Sequence, residues 1–449
     1  MKRIGDILTR YKEAETVKDE VTYKQVTIGT NYKGVRLRGT KKGIEIGTKN
    51  QWLVKAGQFI LSRIDARNSA FGIIPDDLEG ALVTNDFMAY EVNEDEVDRD
   101  FFNVFLQSPQ FLEACIKASR GNTNRKRVQE EFFLNYEVNL PDIDHQRLLI
   151  QKIERAKAAM AVAEGEINHQ QSLLRKLKQA ILQEAIQGKL TENWRAANSV
   201  GDLSTEASAK VEPASQLLRR IQTEKACLIG EKKIRKEKPL PKIIPDEISF
   251  DIPKGWEWCR ISDATLTIVD CPHSTPKWTE SGMTCVKTGQ FQRFKLDLSR
   301  RHFVSKDTYN ERVKRLTPMP GDILYSREGG ILGVACRIPA GEKICLGQRM
   351  MLLRPLDGDS SAFIEMMLNA PHVTRIAEQS TLGGCAPHIN VGEIKAFPIP
   401  LPPLAEQTAI VKRVEALMTT CRALETEIEH SRTHAAHLLQ AVLKEAFAK

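Results

Sequence analysis

A chain of 449 residues is too long for one ordinary hydrophobic core and suits two or three domains. Hydrophobic residues make up 41% and charged residues 27%, the composition of a soluble globular protein. The formal net charge of +7 suits a polyanionic partner without requiring one, and no apolar run is long enough to span a bilayer. The opening MKRIGDILTRYKEAE lacks the apolar stretch of a secretory signal, and the nine cysteines are scattered singly with no CxxC pair. Reduced thiols in a cytoplasmic protein are the simplest account. Cys271-Pro272-His273 could hold a metal only with partner ligands that the usual spacings do not supply.

In chain order, Phe59–Ser62 and Ala81–Val83 read as short buried strands, and Phe101–Ala118 has helical spacing at Phe101, Phe105, Leu112 and Ile116. After the turn Leu140-Pro141 comes a long helix. Its apolar seam steps by four and three through Leu149, Ile153, Ala156, Met160, Ala163, Ile167, Gln170, Leu174, Leu177 and Ile181. Ala197–Val211 is small and polar, a linker, and Ser215–Lys238 reads as a short charged helix with a basic end at Lys232, Lys233, Arg235, Lys236 and Lys238. Ile323–Ser326 is a further buried strand. After Leu401-Pro402-Pro403 a second long helix keeps the frame of the first at Ile410, Val414, Leu417, Cys421, Leu424, Ile428, Ser431, Ala435, Leu438 and Val442.

The two helices are copies. Residues 140–186 align without a gap to 401–447, with identities that include Leu140/Leu401, Pro141/Pro402, Gln146/Gln407, Glu154/Glu415, Ile167/Ile428, His169/His430 and Leu177/Leu438. The repeat extends upstream more faintly. Gly57–Arg63 matches Gly321–Arg327, Phe101–Pro109 matches Phe363–Pro371, and Arg3-Ile4-Gly5-Asp6 matches Arg260-Ile261-Ser262-Asp263. The period is too long for a solenoid unit, so the chain is a duplication: a variable mixed α/β head, then a constant helix, twice. Two equal heptad helices in one chain favour pairing with each other.

No catalytic constellation appears. There is no phosphate-binding GxxxxGK[ST] (Gln187-Gly188-Lys189-Leu190-Thr191 lacks the leading glycine), no Asn/Asp-Pro-Pro-aromatic motif, no GxSxG and no HExxH. Glu393-Ile394-Lys395 has the E-x-K form of a nuclease site without an upstream Pro-Asp. What recurs instead is loops rich in the side chains that read base edges or grip phosphates. In the first head these are Arg63, Arg67 and Asn68 after a strand, and Asn122, Asn124, Arg125, Lys126 and Arg127 in a second loop. Thr84-Asn85-Asp86 is a smaller polar cluster, and Arg36 and Arg38 lie in a basic stretch suited to phosphates. In the second head the corresponding candidates are Arg327, and His388 with Asn390; Gln348 with Arg349, and His273 with Lys277, are further ones.

The Leu-Pro-Pro-Leu-Ala-Glu-Gln block at 401–407, the run Gln179-Ala180-Ile181-Leu182 on to Gly188-Lys189-Leu190-Thr191-Glu192-Asn193-Trp194-Arg195, and Ile252-Pro253-Lys254-Gly255-Trp256-Glu257-Trp258 resemble the signature segments of Type I restriction-modification specificity subunits. The resemblance spans nearly the whole chain. It implies an α+β fold of two homologous mixed α/β target-recognition domains, separated by two long conserved helices that form an antiparallel coiled coil. On it, 1–142 is the first recognition domain and 143–190 the central helix. Residues 191–250 are a linker with a charged helix, 251–402 the second recognition domain and 403–449 the C-terminal helix. It further implies double-stranded DNA as ligand, one half-site per domain, and partners in two methyltransferase subunits, which flip adenines out of the duplex, and in restriction/translocase subunits. S-adenosylmethionine, ATP and magnesium would belong to those partners and none to this chain. The first head departs from the pattern in lacking the Pro-x-Gly-Trp lead-in, so its first strand should be shorter or covered differently. Two rival classes stand beside this reading: an enzyme with an unfamiliar site, and a coiled-coil scaffold that binds only protein.

If the helices set the distance between half-sites, their length is a ruler. One heptad inserted after Ile167 and one after Ile428 keep the seam in phase and lengthen the pair by roughly 10 Å. The preferred spacer should grow by about three base steps while both half-sites keep their bases. Selection from a library of randomised spacers reads this, and an unchanged optimum would assign the distance to something other than the helices.

Overall fold

The computed structural model describes residues 1–121, 126–198, 212–382 and 387–446. The chain divides into two compact units, one of residues 1–167 with 430 onward and one of residues 168–429.

In the first unit a four-stranded antiparallel sheet has the order Leu8–Tyr11, Phe87–Val92, Phe59–Ser62, Phe71–Ile73. A five-stranded sheet has the order Glu13–Thr16, Asn50–Val54, Ala81–Val83, Thr22–Ile28, Val35–Lys42. The core under the first sheet is aromatic: Phe59 meets Phe102 at 5.6 Å and Phe111 at 5.5 Å, each edge to face, and Phe71 meets Phe111 at 5.0 Å. The helical stretch after residue 98 is two helices, Arg99–Phe105 and Pro109–Lys117, rather than one run to Ala118. Ser108-Pro109 divides them. The Ser108 hydroxyl accepts from the Phe111 N–H, and Pro109, which has no N–H to lose, opens the second helix.

The second unit repeats the four-stranded sheet as Thr267–Asp270, Met350–Arg354, Ile323–Ser326, Ala335–Arg337. Ser62 stands opposite Phe87, and Ser326 opposite Met350, so the two sheets correspond residue by residue. A second sheet runs Trp278–Thr279, Phe303–Val304, Met283–Val286, Ile344–Leu346. Leu324, Leu352, Met350, Cys336, Ile338 and Ile344 share the core there, aliphatic and sulfur-bearing where the first is aromatic.

Each head closes on itself. Lys2–Arg3 pairs with Glu137–Val138, and Glu257–Arg260 pairs with Pro398–Leu401, so the chain enters and leaves a head side by side. The first head's opening strand has two residues and the second's has four.

The helices run from Ile143 to Ile186 and from Leu404 to Ala446. In the second unit Lys178 pairs with Glu425 at 2.5 Å, while Arg195, further along the chain, pairs with the earlier Glu406, so the helices are antiparallel. Ile153, Ile167, Leu174, Ile181, Ile410, Val414, Cys421 and Ile428 are buried. The expected seam residues Gln170, Leu177, Leu424 and Leu438 are exposed instead. A straight helix turns about 20° away from a seven-residue repeat in each heptad, so the buried side moves by nearly one residue over four heptads. Accordingly the half-buried Gln171 and Lys178 take the places assigned to Gln170 and Leu177. The charged helix spans Ala214–Gly230, and the basic run at Lys232–Lys238 lies beyond its end, where Lys232 turns left-handed with φ of 58°. Most of the linker, residues 199–211, lies outside the described residues.

One buried carboxylate fastens the second unit together. Glu406, in the first turn of the C-terminal helix, is fully buried. One of its oxygens accepts from Thr191 Oγ1 at 2.7 Å and from Arg195 at 2.5 Å, and the other from Trp256 Nε1 at 2.7 Å. Gly188 makes this possible. It ends the central helix at φ of 72°, where a Cβ would lie 2.6 Å from Pro253. Glu406→Ala would leave Arg195 without its ion partner and Trp256 without an acceptor. The unit should lose about 3–5 kcal/mol, measured by chemical denaturation followed at tryptophan.

Candidate nucleic-acid interface

The corresponding sheets place corresponding loops. In the first head Phe59–Ser62 ends at Arg63, whose N–H donates to Asp86 O at 2.7 Å and whose carbonyl accepts from Val128 N at 2.8 Å. The Asn68 carbonyl accepts from Asn31 N at 2.8 Å, tying in the turn that leads to the basic strand Val35–Lys42. Arg63, Arg67, Asn68, Lys126 and Arg127 thus stand on neighbouring loops, with Asn68, Lys126 and Arg127 exposed. Arg127 pairs at 3.2 Å with Asp86, both solvated. Arg36 and Arg38 are exposed on the edge strand of the five-stranded sheet, where Arg38 is the extra residue of a β-bulge opposite Gln25 and Val26. Asn122, Asn124 and Arg125 lie outside the described residues.

In the second head Arg327 follows Ile323–Ser326. Its N–H donates to Arg349 O at 3.1 Å and its carbonyl accepts from Ile389 N at 2.9 Å, and Gly329 N donates to Pro387 O at 2.9 Å. Gln348 Nε2 donates to His273 O at 2.5 Å. His273, Arg327, Gln348, Arg349 and His388 therefore meet at one end of the sheet. Lys277 and Asn390, both exposed, lie on the same loops. Arg349, exposed just before the strand Met350–Arg354, holds φ of 66°, a left-handed conformation that costs a non-glycine residue energy.

The homologous arginines differ in their surroundings. The Arg327 side chain is only 7% exposed, and it pairs with Asp270 at 2.9 Å and Glu328 at 2.7 Å. The same Asp270 binds His273 at 3.0 Å. Asp270 stands opposite Met351. In the first head the matching position, one residue past Tyr11 and opposite Met88, is the exposed Lys12. Among the described residues no such acid pairs with Arg63, and its buried Nε meets no hydrogen-bond partner. Its neighbour Arg10 has a pKa pushed down by burial and, to a smaller extent, by the Arg63 charge, against Tyr90 and Glu130. Cys271 belongs to the core, where burial pushes its thiol pKa up, and His273 turns to Asp270.

Sequence reasoning missed Asp270 and the buried Arg312, whose partners lie tens of residues away, and the half-exposed Trp278. Trp278 follows Lys277, and the Lys287 ammonium lies 4.1 Å from its ring centre.

The family model of the Type I restriction modification DNA specificity domain matches twice, at residues 1–169 and 254–431, one match over each head and the start of its helix. The chain belongs to this family. Among curated proteins it is 26% identical over 388 residues to the Type I restriction enzyme EcoEI specificity subunit of Escherichia coli, covering 77% of this chain and 64% of that one. It is 24% identical to the EcoAI specificity subunit of the same species, covering 78% and 64%. The chain spans slightly less than two-thirds of the length of these relatives. The fold is that of the HsdS subunit from Thermoanaerobacter tengcongensis, at 18% identity, a TM-score of 0.53, and 99% and 95% coverage of the two chains.

The Asp270–Arg327 pair holds the second family domain's loops together from within. Asp270→Ala should destabilise that domain by about 1.5–3 kcal/mol in urea titration, since the charge-assisted bonds to Arg327 and His273 both go. A change within error would mean that Glu328 alone suffices to hold Arg327.

Proposed function

We propose that the chain is the DNA-specificity subunit of a Type I restriction-modification complex, a two-part reader of double-stranded DNA without catalytic chemistry of its own. The observation that carries this is the duplication seen at the site. Two heads that share one four-stranded sheet gather matching loops, rich in arginine, asparagine, glutamine and histidine, at the same end of that sheet. Each head reads one half-site, and the constant helices hold the heads and dock two methyltransferase subunits and the restriction/translocase subunits. Those subunits bring S-adenosylmethionine, ATP and magnesium, and the assembly works in the cytoplasm on the host's own and incoming DNA. No described helix is long and apolar enough to cross a membrane.

Within the heads, Arg63, Arg67 and Asn68 face bases with Lys126 and Arg127, while Arg36 and Arg38 hold phosphates. In the second head His273, Lys277, Gln348, Arg349, His388 and Asn390 do the reading, with Arg327 bracing them. Selection from randomised duplexes by the full chain with its partner subunits should return a split consensus, and no enrichment would overturn the reading. Exchanging residues 1–139 for another family member's first head should change one half-site only, because that head's end strands pair with each other. Changes in both halves would overturn the modular reading.

The two kinds of contact separate by salt. Arg36→Ala and Arg38→Ala should weaken all sequences alike and each lower the slope of log affinity against log salt by about 1. Lys12→Asp gives Arg63 the kind of partner that Arg327 has. It should weaken discrimination at a position of the first half-site by about 1–3 kcal/mol and leave the second half-site intact.

A further inference from the structure

Arg312 is the last residue of the helix Lys306–Arg312 and is buried, with 6% of its surface exposed. Among the described residues no carboxylate pairs with it. Its guanidinium spends its donors on backbone oxygens instead. One terminal nitrogen donates to Leu346 O at 2.8 Å and Gly347 O at 2.9 Å. The other donates to Ser274 O and reaches Ser274 Oγ at 3.5 Å. Ser274 lies in one loop, while Leu346 ends the strand Ile344–Leu346 and Gly347 begins the loop that follows it. Ser274 follows His273, and Gly347 precedes Gln348 and Arg349.

We infer that Arg312 is a positioning residue for DNA recognition by the second head, fixing from below the two loops that carry His273 and Lys277 on one side and Gln348 and Arg349 on the other. The inference rests on the proposed function for the identity of the ligand. The position of the loops rests on geometry alone. A planar guanidinium offers its donors in a rigid fork, so it fixes the separation and tilt of the carbonyls it joins. A carbonyl that shifts carries its chain neighbours with it, and His273, just before Ser274, and Gln348, just after Gly347, are such neighbours. Charge-assisted bonds of this kind are roughly twice as strong as neutral ones. The direct ties between the loops, Gln348 to His273 O and Thr275 Oγ1 to Gln348 Oε1 at 3.4 Å, lie at their exposed rim. On the inner side Gly347 lies so close to Val286 that a Cβ there would come within 2.4 Å of the Val286 carbonyl, so this loop has no slack toward the sheet. Arg315, three residues on, adds a bond to Asp270 O at 3.1 Å, at the root of the His273 loop.

The test uses the full chain with Arg312→Lys, which keeps charge and stem but loses the fork, and Arg312→Met, which loses both. Hydrogen exchange is measured first, without DNA. Amides of residues 273–275, 277 and 347–349 should exchange about tenfold faster or more in both variants, equivalent to about 1.4 kcal/mol, with the first head unchanged. Unchanged protection there, or a rise spread evenly through the second head, would overturn the positioning role. If Arg312→Met does not fold, Arg312→Lys decides. Selection from duplexes randomised in both halves is measured second. The second half-site should lose about five- to a hundredfold discrimination at one or more positions while the first keeps its consensus. An unchanged consensus with uniformly weaker binding would reduce Arg312 to a structural residue. Should the unsubstituted chain with its partners give no split consensus, the proposed function fails, and the exchange data still decide whether Arg312 sets the loops.

Discussion

Glu406 is where the second half of the chain is tied together. A carboxylate with no solvent access is tolerable only if every lone pair that faces inward is met, and here a hydroxyl, a guanidinium and an indole N–H meet it. Those donors come from the segment after the central helix and from the entry to the second head, so one side chain in the C-terminal helix fixes both. Its place in the first helical turn adds the favourable end of the helix dipole. The run from Gly188 to Arg195, which superficially resembles a phosphate loop, is consumed by this contact.

The equivalent position in the first half is His145, and a different residue does the fastening. Gln146 accepts from Asp98 N at 2.8 Å and donates to Glu96 O at 3.2 Å and Pro141 O at 2.8 Å, so that helix is latched to the start of a helix in its own head. Gln407, its counterpart, keeps the bond to Pro402 O at 2.9 Å. The duplication thus preserved the proline turn and the glutamine and let the long-range partners diverge.

Much of this was legible because the constant parts are written in local, periodic signals. Heptads, proline turns and an ungapped repeat locate the helices, and the matched Gly57–Arg63 and Gly321–Arg327 locate the strand that feeds the loops. The seam went astray where a straight helix and a seven-residue period part company, as at Gln170, Leu177, Leu424 and Leu438. The single helical stretch after Phe101 hid the break at Ser108-Pro109, whose dipeptide signal was present. What composition could not reveal was pairing across distance. Nothing near Arg327 in the chain announces Asp270, 57 residues earlier, and an isolated arginine at the end of a short helix gives no hint that it grips two loops. Loops rich in reading side chains were visible as groups, and which member reads and which braces depends on burial.

Two sheets of identical order in one polypeptide carry a hazard of strand exchange during folding, since either could accept the other's strand. The side chains guard against it. Phe59 faces Tyr90 in the first sheet, where Ile323 faces Leu353 in the second, while Leu61 corresponds to the larger Tyr325. A strand docked in the wrong head would leave a void at one of these positions and overfill the other, and both faults cost free energy in a close-packed interior. The contrast between an aromatic and an aliphatic core thus acts as an address, directing each strand to its own half of a duplicated chain.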